Sequence, residues 1–292
     1  MNAPIVALAP AKINLALHVT GRRADGYHLL DSLVAFTRFG DRLSVSMADE
    51  DMFSVSGPFA AAVPSDGDNL VLRAVAALRT AARPEGAVAI NLEKNLPVAS
   101  GVGGGSSDAA AVLRVLADLW RLDLDAPTLA RIGLSLGADV PMCLAARPLL
   151  ARGIGEILTE VDDLPPVGVV LVNPGIAVET PAIFAALEHR DGTALPPLPK
   201  SLDFHSLSNW LETTRNDLEP PAIRQAPSIG EALKALRKAG AHFARMSGSG
   251  ATCYALFESG NLAKRAAAGI RERRPDWFVA STRFTSSQEP PT

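Results

Sequence analysis

Apolar and polar positions alternate from the start of the chain. Ile13, Leu15, Leu17 and Val19 share one face, and Lys12, Asn14, Ala16 and His18 the other. A period of two predicts a half-buried strand over Ile13–Val19. Asp25-Gly26 then marks a turn. Leu43, Val45 and Met47 alternate with polar residues, as do Phe53 and Val55, and the polar run ADED between them predicts a hairpin connection. Asn69–Ala82, rich in alanine and leucine, reads as a helix. Val88, Ile90 and Leu92 predict a strand that leads into the run Asn95–Ala110, NLPVASGVGGGSSDAA. Asp108–Leu122 reads as a helix whose Arg114, Asp118 and Arg121 form one narrow wet stripe, so most of its surface should be buried. Thr128–Leu136 is a further short helix.

A division is expected near Asp162–Pro166, giving segments 1–162 and 163–292. Beyond it, Val167–Val172 predicts a strand and Pro181–Glu188 a helix. His189–Leu207 is a long proline-bearing connection. Ser228 and Glu231 have capping-box spacing, and Gly240 suits the end of that helix. Thr252–Phe257 (strand), Leu262–Arg273 (helix) and Trp277–Phe284 (strand) follow, with a loose tail SSQEPPT. Strands and helices mix without a regular βαβ rhythm, so the expected class is α+β in two domains.

Composition narrows the function. The 292 residues, 48% hydrophobic and 20% charged, suffice for a substantial core. A net charge of −3 argues against a nucleic-acid partner. The dense basic run Arg271–Arg274 contains Glu272 and reads as a solvated helix end. Two cysteines, Cys143 and Cys253, stand far apart and suggest neither metal cluster nor disulfide framework. No signal-peptide pattern opens the chain, and no run approaches the roughly 18 apolar residues of a membrane span. The expected setting is the cytoplasm, without a membrane partner.

The glycine run asks for chemistry. A strand, a glycine-rich turn and a buried helix start make an anion site, because first-turn amides lack internal partners and the helix dipole adds positive charge. Glycines let a phosphate approach those amides. Ser106 and Ser107 add hydroxyls, and either could help hold a magnesium ion. Three readings stand side by side: a plain turn with a serine cap, a dinucleotide fingerprint, and a nucleoside-triphosphate loop. The fingerprint lacks its third glycine, since Ser106 stands there, and the loop is not a Walker A motif, since no lysine follows the last glycine.

Other polar islands carry weaker signals. Lys12 is either a solvated strand end or a cation facing a site, with Asn14 about 7 Å along the same face. Asp139, in LGADVPMCLAA, is the only charge between Arg131 and Arg147. It is either a turn-forming or helix-capping aspartate or a base beside a cation. Spacing does not show that Lys12 and Asp139 meet. Met246–Tyr254, MSGSGATCY, is a second glycine–serine turn. Tyr27-His28 is either a partly buried pair or a stacking and hydrogen-bonding pair for a base.

Three of these segments, in order, resemble the motifs of the GHMP kinase superfamily: APAKINLALHV, LPVASGVGGGSSDAAAV and MSGSGATCYALF. AKINLALHVTGRRADGYHLLDSL, LGADVPMCL and NPGIAVETPAIF narrow the resemblance to a branch whose acceptor alcohol carries a cytidyl diphosphate. The resemblance implies a two-domain α+β GHMP kinase fold, with an N-terminal half like ribosomal protein S5 domain 2 and a ferredoxin-like C-terminal half. It implies an ATP-dependent small-molecule kinase that uses Mg²⁺, a monomer or homodimer. By position, Lys12 and Asp139 match the catalytic pair. Pro97, Val98, Ala99, Ser100, Gly101, Val102, Gly103, Gly104, Gly105, Ser106 and Ser107 match the ATP loop, with Ser107 a candidate metal ligand. Asn14, Tyr27, His28, Asp139, Thr180, Phe184 and Gly248 match the substrate site. Ala99-Ser100 departs from members with glycines there, and Val102 stands where leucine is usual.

Overall fold

The computed structural model describes residues 3–286 apart from 65, 66 and 163. The expected loose tail, beyond Ser286, and one residue of the expected division therefore lie outside the described residues. β1 (Ile5–Arg22) and β2 (His28–Ala48) form a long antiparallel pair across the Asp25-Gly26 turn. Gly26 takes a φ of +95° there. Register shifts at Pro10/Lys12, Asn14/Ala16 and Val19/Gly21 bend β1. The strand is not half-buried as its alternation predicts. Lys12, Asn14 and His18 are buried along with the apolar face. The cause is tertiary: the glycine loop and Asp139 cover Lys12, and Ser247, Thr193 and Arg215 of the C-terminal half meet Asn14 and His18.

β3 (Met52–Ser56) and β4 (Ala87–Glu93) complete one side of a six-stranded sheet of order β3-β4-β2-β5-β6, with β1 also on β2. The expected hairpin through ADED does not form. β4 lies between β2 and β3, antiparallel to the first and parallel to the second. Val88, Ile90 and Leu92 are buried there, whereas β3 alternates exposed with half-buried residues and takes the edge.

α1 (Leu70–Ala82) starts at Asn69, whose side chain accepts from Val71 N. α2 (Gly104–Leu119) begins four residues before the expected start. Arg114 leaves the wet stripe to donate to the carbonyls of Cys143 and Leu144, at 2.9 and 3.2 Å. α3 (Ala126–Leu136), α4 (Val140–Ala145), β5 (Leu149–Gly153) and β6 (Ile157–Glu160) finish this half.

The second half runs β7 (Gly168–Asn173), α5 (Thr180–Ala185), α6 (Phe204–Glu212), α7 (Glu219–Gln225), α8 (Ser228–Lys238), β8 (Phe243–Met246), β9 (Cys253–Phe257), α9 (Gly260–Arg273) and β10 (Phe278–Thr282). The antiparallel order β10-β7-β9-β8, with α8 and α9 as crossovers, is the split βαβ arrangement of a ferredoxin-like unit. The α+β expectation is borne out. The connection His189–Leu207 is shorter than expected, because Asp203 and Ser206 form a reciprocal capping box that starts α6. Ser228 and Glu231 do not form one. Pro227 holds the cap position, Ser228 is already inside the helix with a buried, unpartnered hydroxyl, and Glu231 pairs with Arg274. Gly240, at φ +87°, follows the helix end as predicted.

The halves share a core. Ala11, Ile13, Leu15 and Leu33 pack with Val169, Leu171, Tyr254 and Leu256 in one buried cluster. Arg245 crosses this boundary: it is 8% exposed and donates to Leu15 O, Leu211 O, Thr214 O and Thr214 Oγ1. Tyr254 Oη donates to Leu15 O as well, at 2.6 Å. Replacing Arg245 with leucine strands the Thr214 carbonyl and removes the donor to Thr214 Oγ1, while Leu211 O keeps Thr214 N and Oγ1 and Leu15 O keeps Tyr254. Arg245→Leu is expected to lower the unfolding free energy by about 1–3 kcal/mol, read by urea titration. A loss below about 1 kcal/mol would show that water or a local shift satisfies the Thr214 carbonyl.

Candidate active site

Three segments converge where the halves meet. Lys12 N, at a register shift in β1, donates to Val102 O of the glycine loop at 2.9 Å. Thr252 N donates to Ser100 O at 3.0 Å. Ser247 Oγ accepts from Asn14 N at 3.1 Å and donates to Gly101 O at 3.0 Å. The first glycine loop, the second glycine–serine turn and β1 are thus stitched together through main-chain atoms.

The glycines have distinct reasons. At Gly101 φ is +77°, and a Cβ would stand 2.6 Å from Ser247 O and 2.7 Å from Gly250 O. Gly103, at φ +62°, caps α2, and a Cβ there would press Lys12 Cε at 3.0 Å. Gly105 differs, because its Cβ would meet only Leu70 Cδ1 at 3.4 Å. Close approach of protein to protein explains Gly101 and Gly103 before any phosphate is considered. The open first turn of α2, with its unpaired amides, remains an anion site.

Lys12 Nζ lies 3.1 Å from Asp139 Oδ2 and donates to Asn14 Oδ1 at 3.0 Å. Asn14 Nδ2 donates to Ser32 Oγ at 2.8 Å, which fixes the amide's orientation. The pair is asymmetric: the Lys12 side chain is 7% exposed and that of Asp139 is 41% exposed. Asp139 precedes α4 but makes no side-chain cap bond, so its carboxylate is not used in capping. Cys143, one turn on, is buried, and burial pushes its thiol far above the ordinary range, with Asp139 adding to the effect. It is no competing nucleophile.

Beside the loop, a pocket of about 160 Å³ is lined by Val63, Pro64, Asn69, Leu70, Lys94 and Pro97 among others. Val98, Ala99, Gly104 and Gly105 reach its rim. Ser100 is buried, with its hydroxyl on Pro97 O at 2.6 Å. Ser107, the candidate metal ligand, is wholly buried and donates to Pro10 O at 2.8 Å. It stands away from the open face, so its placement makes it a helix-to-strand tie. Ser106 is half-buried and is the more accessible hydroxyl of the pair. Among the described residues no group of three or more His, Cys, Asp or Glu could hold a metal ion.

On the other side of Lys12, His28 stacks on Phe184 with centroids 4.9 Å apart and planes 24° apart. His28 Nε2 is buried without a partner. Burial lowers the His28 pKa, and the cations Arg22 and Arg190 lower it further, so the ring is neutral at pH 7. Tyr27, next to it, is 61% exposed. Thr180 Oγ1 lies 2.7 Å from Ser249 Oγ, and a Cβ on Gly248 would lie 3.3 Å from Asn14 Oδ1. The structure thus brings Lys12, Asn14, Gly101, Gly103, Asp139 and Gly248 together, pairs His28 with Phe184 and Thr180 with Ser249, and buries Ser100 and Ser107 as ties.

Other residues that shape the cleft gave no motif. Asn216 Nδ2 donates to Met246 O and Gly248 O, at 2.9 and 2.8 Å, and Glu219 accepts from Met246 N at 2.7 Å. Together they hold the second turn. Lys94 joins Asp41 and Asp108 under the first loop. A lone lysine at a strand end and an aspartate inside an alanine-rich helix carry no pattern that separates them from surface charges.

Comparison with known proteins agrees with this geometry. The family model described as GHMP kinases N terminal domain matches residues 69–147, and that described as GHMP kinases C terminal matches 197–276. This chain belongs to the GHMP kinase family. A relative from Mesorhizobium japonicum, 67% identical over 282 residues and 96% of both chains, is named 4-diphosphocytidyl-2-C-methyl-D-erythritol kinase. One from Brucella melitensis, 56% identical over 97% of this chain and 96% of its own, has the same name. The crystal structure of a 4-(cytidine 5'-diphospho)-2C-methyl-D-erythritol kinase superposes with a TM-score of 0.82 at 37% identity, covering 97% of this chain and 100% of that one. Homoserine kinase from Cytophaga hutchinsonii shares the fold at TM-score 0.70 and 18% identity.

The contrast between glycines is testable. Gly101→Ala is expected to lose the nucleotide-induced rise in melting temperature and to melt lower than the parent, because strain and a main-chain clash coincide. Gly105→Ala is expected to melt like the parent. Equal melting temperatures for the two variants would mean that the interlock at Gly101 relaxes freely.

Proposed function

We propose that the chain transfers the γ-phosphate of ATP to the 2-hydroxyl of 4-diphosphocytidyl-2-C-methyl-D-erythritol, a step of the non-mevalonate route to isoprenoid precursors. The Lys12–Asp139 contact at the foot of the glycine loop carries the kinase reading. The naming of its relatives and the stacked, unpartnered His28 carry the substrate reading. A homoserine or mevalonate kinase activity is less well supported, because those substrates offer no ring for His28 and Tyr27.

In this reading the amides at the start of α2 hold the phosphates, and the adjoining pocket takes the adenosine. Phosphoryl transfer demands positioning and charge neutralisation more than covalent help from the protein. The acceptor oxygen forms its bond to phosphorus as the bond to the ADP oxygen breaks. Asp139, the accessible member of the pair, accepts the hydrogen bond of the acceptor hydroxyl and takes or relays its proton. Lys12, held by Asn14 and Asp139, turns its remaining donor to the charge on the transferring group. Cytosine enters between Tyr27 and Phe184, where His28 Nε2 gains the partner it lacks. Thr180 and Gly248 border the methylerythritol end.

Magnesium accompanies ATP in this chemistry and offsets phosphate charge. Ser106 and Asp139 are the accessible oxygen donors beside the loop, and the lack of an acidic cluster among the described residues fits an ion held mostly by phosphate oxygens and water. We place the enzyme in the cytoplasm as a monomer or homodimer, with segments 1–162 and 163–292 as its domains. Two free buried cysteines suit a reducing compartment. Among the described residues no helix is long and apolar enough to cross a membrane.

Asp139→Asn keeps the shape and removes the charge. With ATP, Mg²⁺ and the cytidyl alcohol, ADP release is expected to fall by at least about 100-fold while an ATP analogue still binds. Near-parental turnover of the folded variant would remove Asp139 from the mechanism. His28→Ala is expected to raise KM for the cytidyl alcohol about tenfold, equivalent to about 1.4 kcal/mol, with KM for ATP unchanged. Parallel rises in both constants would contradict a cytosine contact.

A further inference from the structure

Beneath the glycine loop, Lys94 Nζ donates to Asp41 Oδ2 at 2.5 Å and to Asp108 Oδ2 at 2.6 Å. All three side chains are at most 4% exposed. Asp41 comes from β2, Lys94 follows β4, and Asp108 lies in α2. The other oxygen of Asp41 accepts from Asn95 N and Leu96 N, at 2.6 and 2.8 Å. Those residues are the entrance of the loop, and Asp108 lies just past its exit. The Lys94 backbone is itself pinned, donating to Ser56 O and accepting from Phe59 N. A Cβ on Gly104 would meet Lys94 Nζ at 3.1 Å and Asp41 Oδ2 at 3.5 Å, so the helix start rests on the cluster.

We infer that Asp41, Lys94 and Asp108 form a clamp that fixes the two ends of the glycine loop relative to each other, making Asp41 and Lys94 positioning residues for the nucleotide. The inference rests on the ATP reading of that loop and adds what sets its width. A glycine-rich segment has high conformational entropy and does not hold a shape unaided. Buried ion pairs are poor sources of stability, because desolvation offsets their attraction, but they specify geometry. Here one ammonium, reached by two carboxylates, links entrance to exit across about ten residues of loop. Asp108 Oδ1 is buried with no partner, and Asp108 is held to the entrance by Lys94 and by its direct contact with Asp41, whose charge together with burial raises the Asp108 pKa.

The test separates positioning from mere folding. Asp41→Asn weakens the grip on the entrance amides and on Lys94. In the folded variant, calorimetric affinity for a non-hydrolysable ATP analogue is expected to fall about 10- to 100-fold, with KM for the cytidyl alcohol within about twofold of the parent. Parental nucleotide affinity alongside a lower melting temperature overturns the clamp, and so does an equal rise in both constants. If Asp41→Asn does not fold, Asp108→Ala decides. It keeps the Lys94–Asp41 pair and releases the exit, and is expected to weaken analogue binding about fivefold with the alcohol KM unmoved. Unchanged affinity there overturns the inference. Failure of the parent to bind the analogue at all would instead refute the ATP reading, an outcome distinct from a parent that binds and variants that bind equally well.

Discussion

The contact between the two glycine turns sets the terms for everything around it. Gly101 O accepts from Ser247 Oγ, and no side chain fits on Gly101 because Ser247 O and Gly250 O already stand against it. This approach brings a loop from the first half against a turn from the second, with β1 between. Ser247 Oγ also accepts from Asn14 N, and Lys12 N donates to Val102 O. The residues proposed to handle the acceptor and those proposed to hold the nucleotide are thereby referenced to the same main-chain atoms. Transfer between two substrates is sensitive to their mutual placement on the ångström scale. A shared frame of main-chain hydrogen bonds is the stiffest way to supply it.

That frame explains why β1 is buried on both faces. A strand at the junction of two halves must pack apolar residues against each, and its polar residues lose water. Buried Lys12, Asn14 and His18 are satisfied one by one, by Asp139, by Ser32, and by Thr193 O with Arg215 N. The arrangement costs desolvation, and that cost is met by specific partners. The exposure difference between Lys12 and Asp139 follows from position: the lysine rises from the strand, while the aspartate stands on the turn before α4 at the cleft's edge.

Much of this was legible in the sequence. The helix starting at Asn69 and the strand of Val88, Ile90 and Leu92 follow from composition and period, which are local, and the three ordered motifs from resemblance to a known family. Most failures came where a distant element decided. The ADED hairpin was lost because β4, distant in sequence, stands between β2 and β3 and pairs with both. The Ser228 capping box was lost because Pro227 takes the cap position, and Glu231 pairs with Arg274 instead. Half-burial of β1 was lost to the glycine loop, Asp139 and the other half of the chain. The meeting of Lys12 and Asp139 is likewise non-local, and no spacing rule contains it.

The glycines show how a correct local inference can rest on an incomplete cause. Read along the chain, Gly101–Gly105 make room for a phosphate. In the folded chain, Gly101 makes room for Ser247 and Gly250, Gly103 for Lys12, and Gly104 for Lys94. Gly105 alone faces little but Leu70. Phosphate access then coexists with tight packing of the protein behind the loop. Glycine is costly to order, and ordering it through contacts on the protein side leaves the opposite side free for an anion. The same residues that look loose in sequence are, for that reason, among the most constrained in the structure.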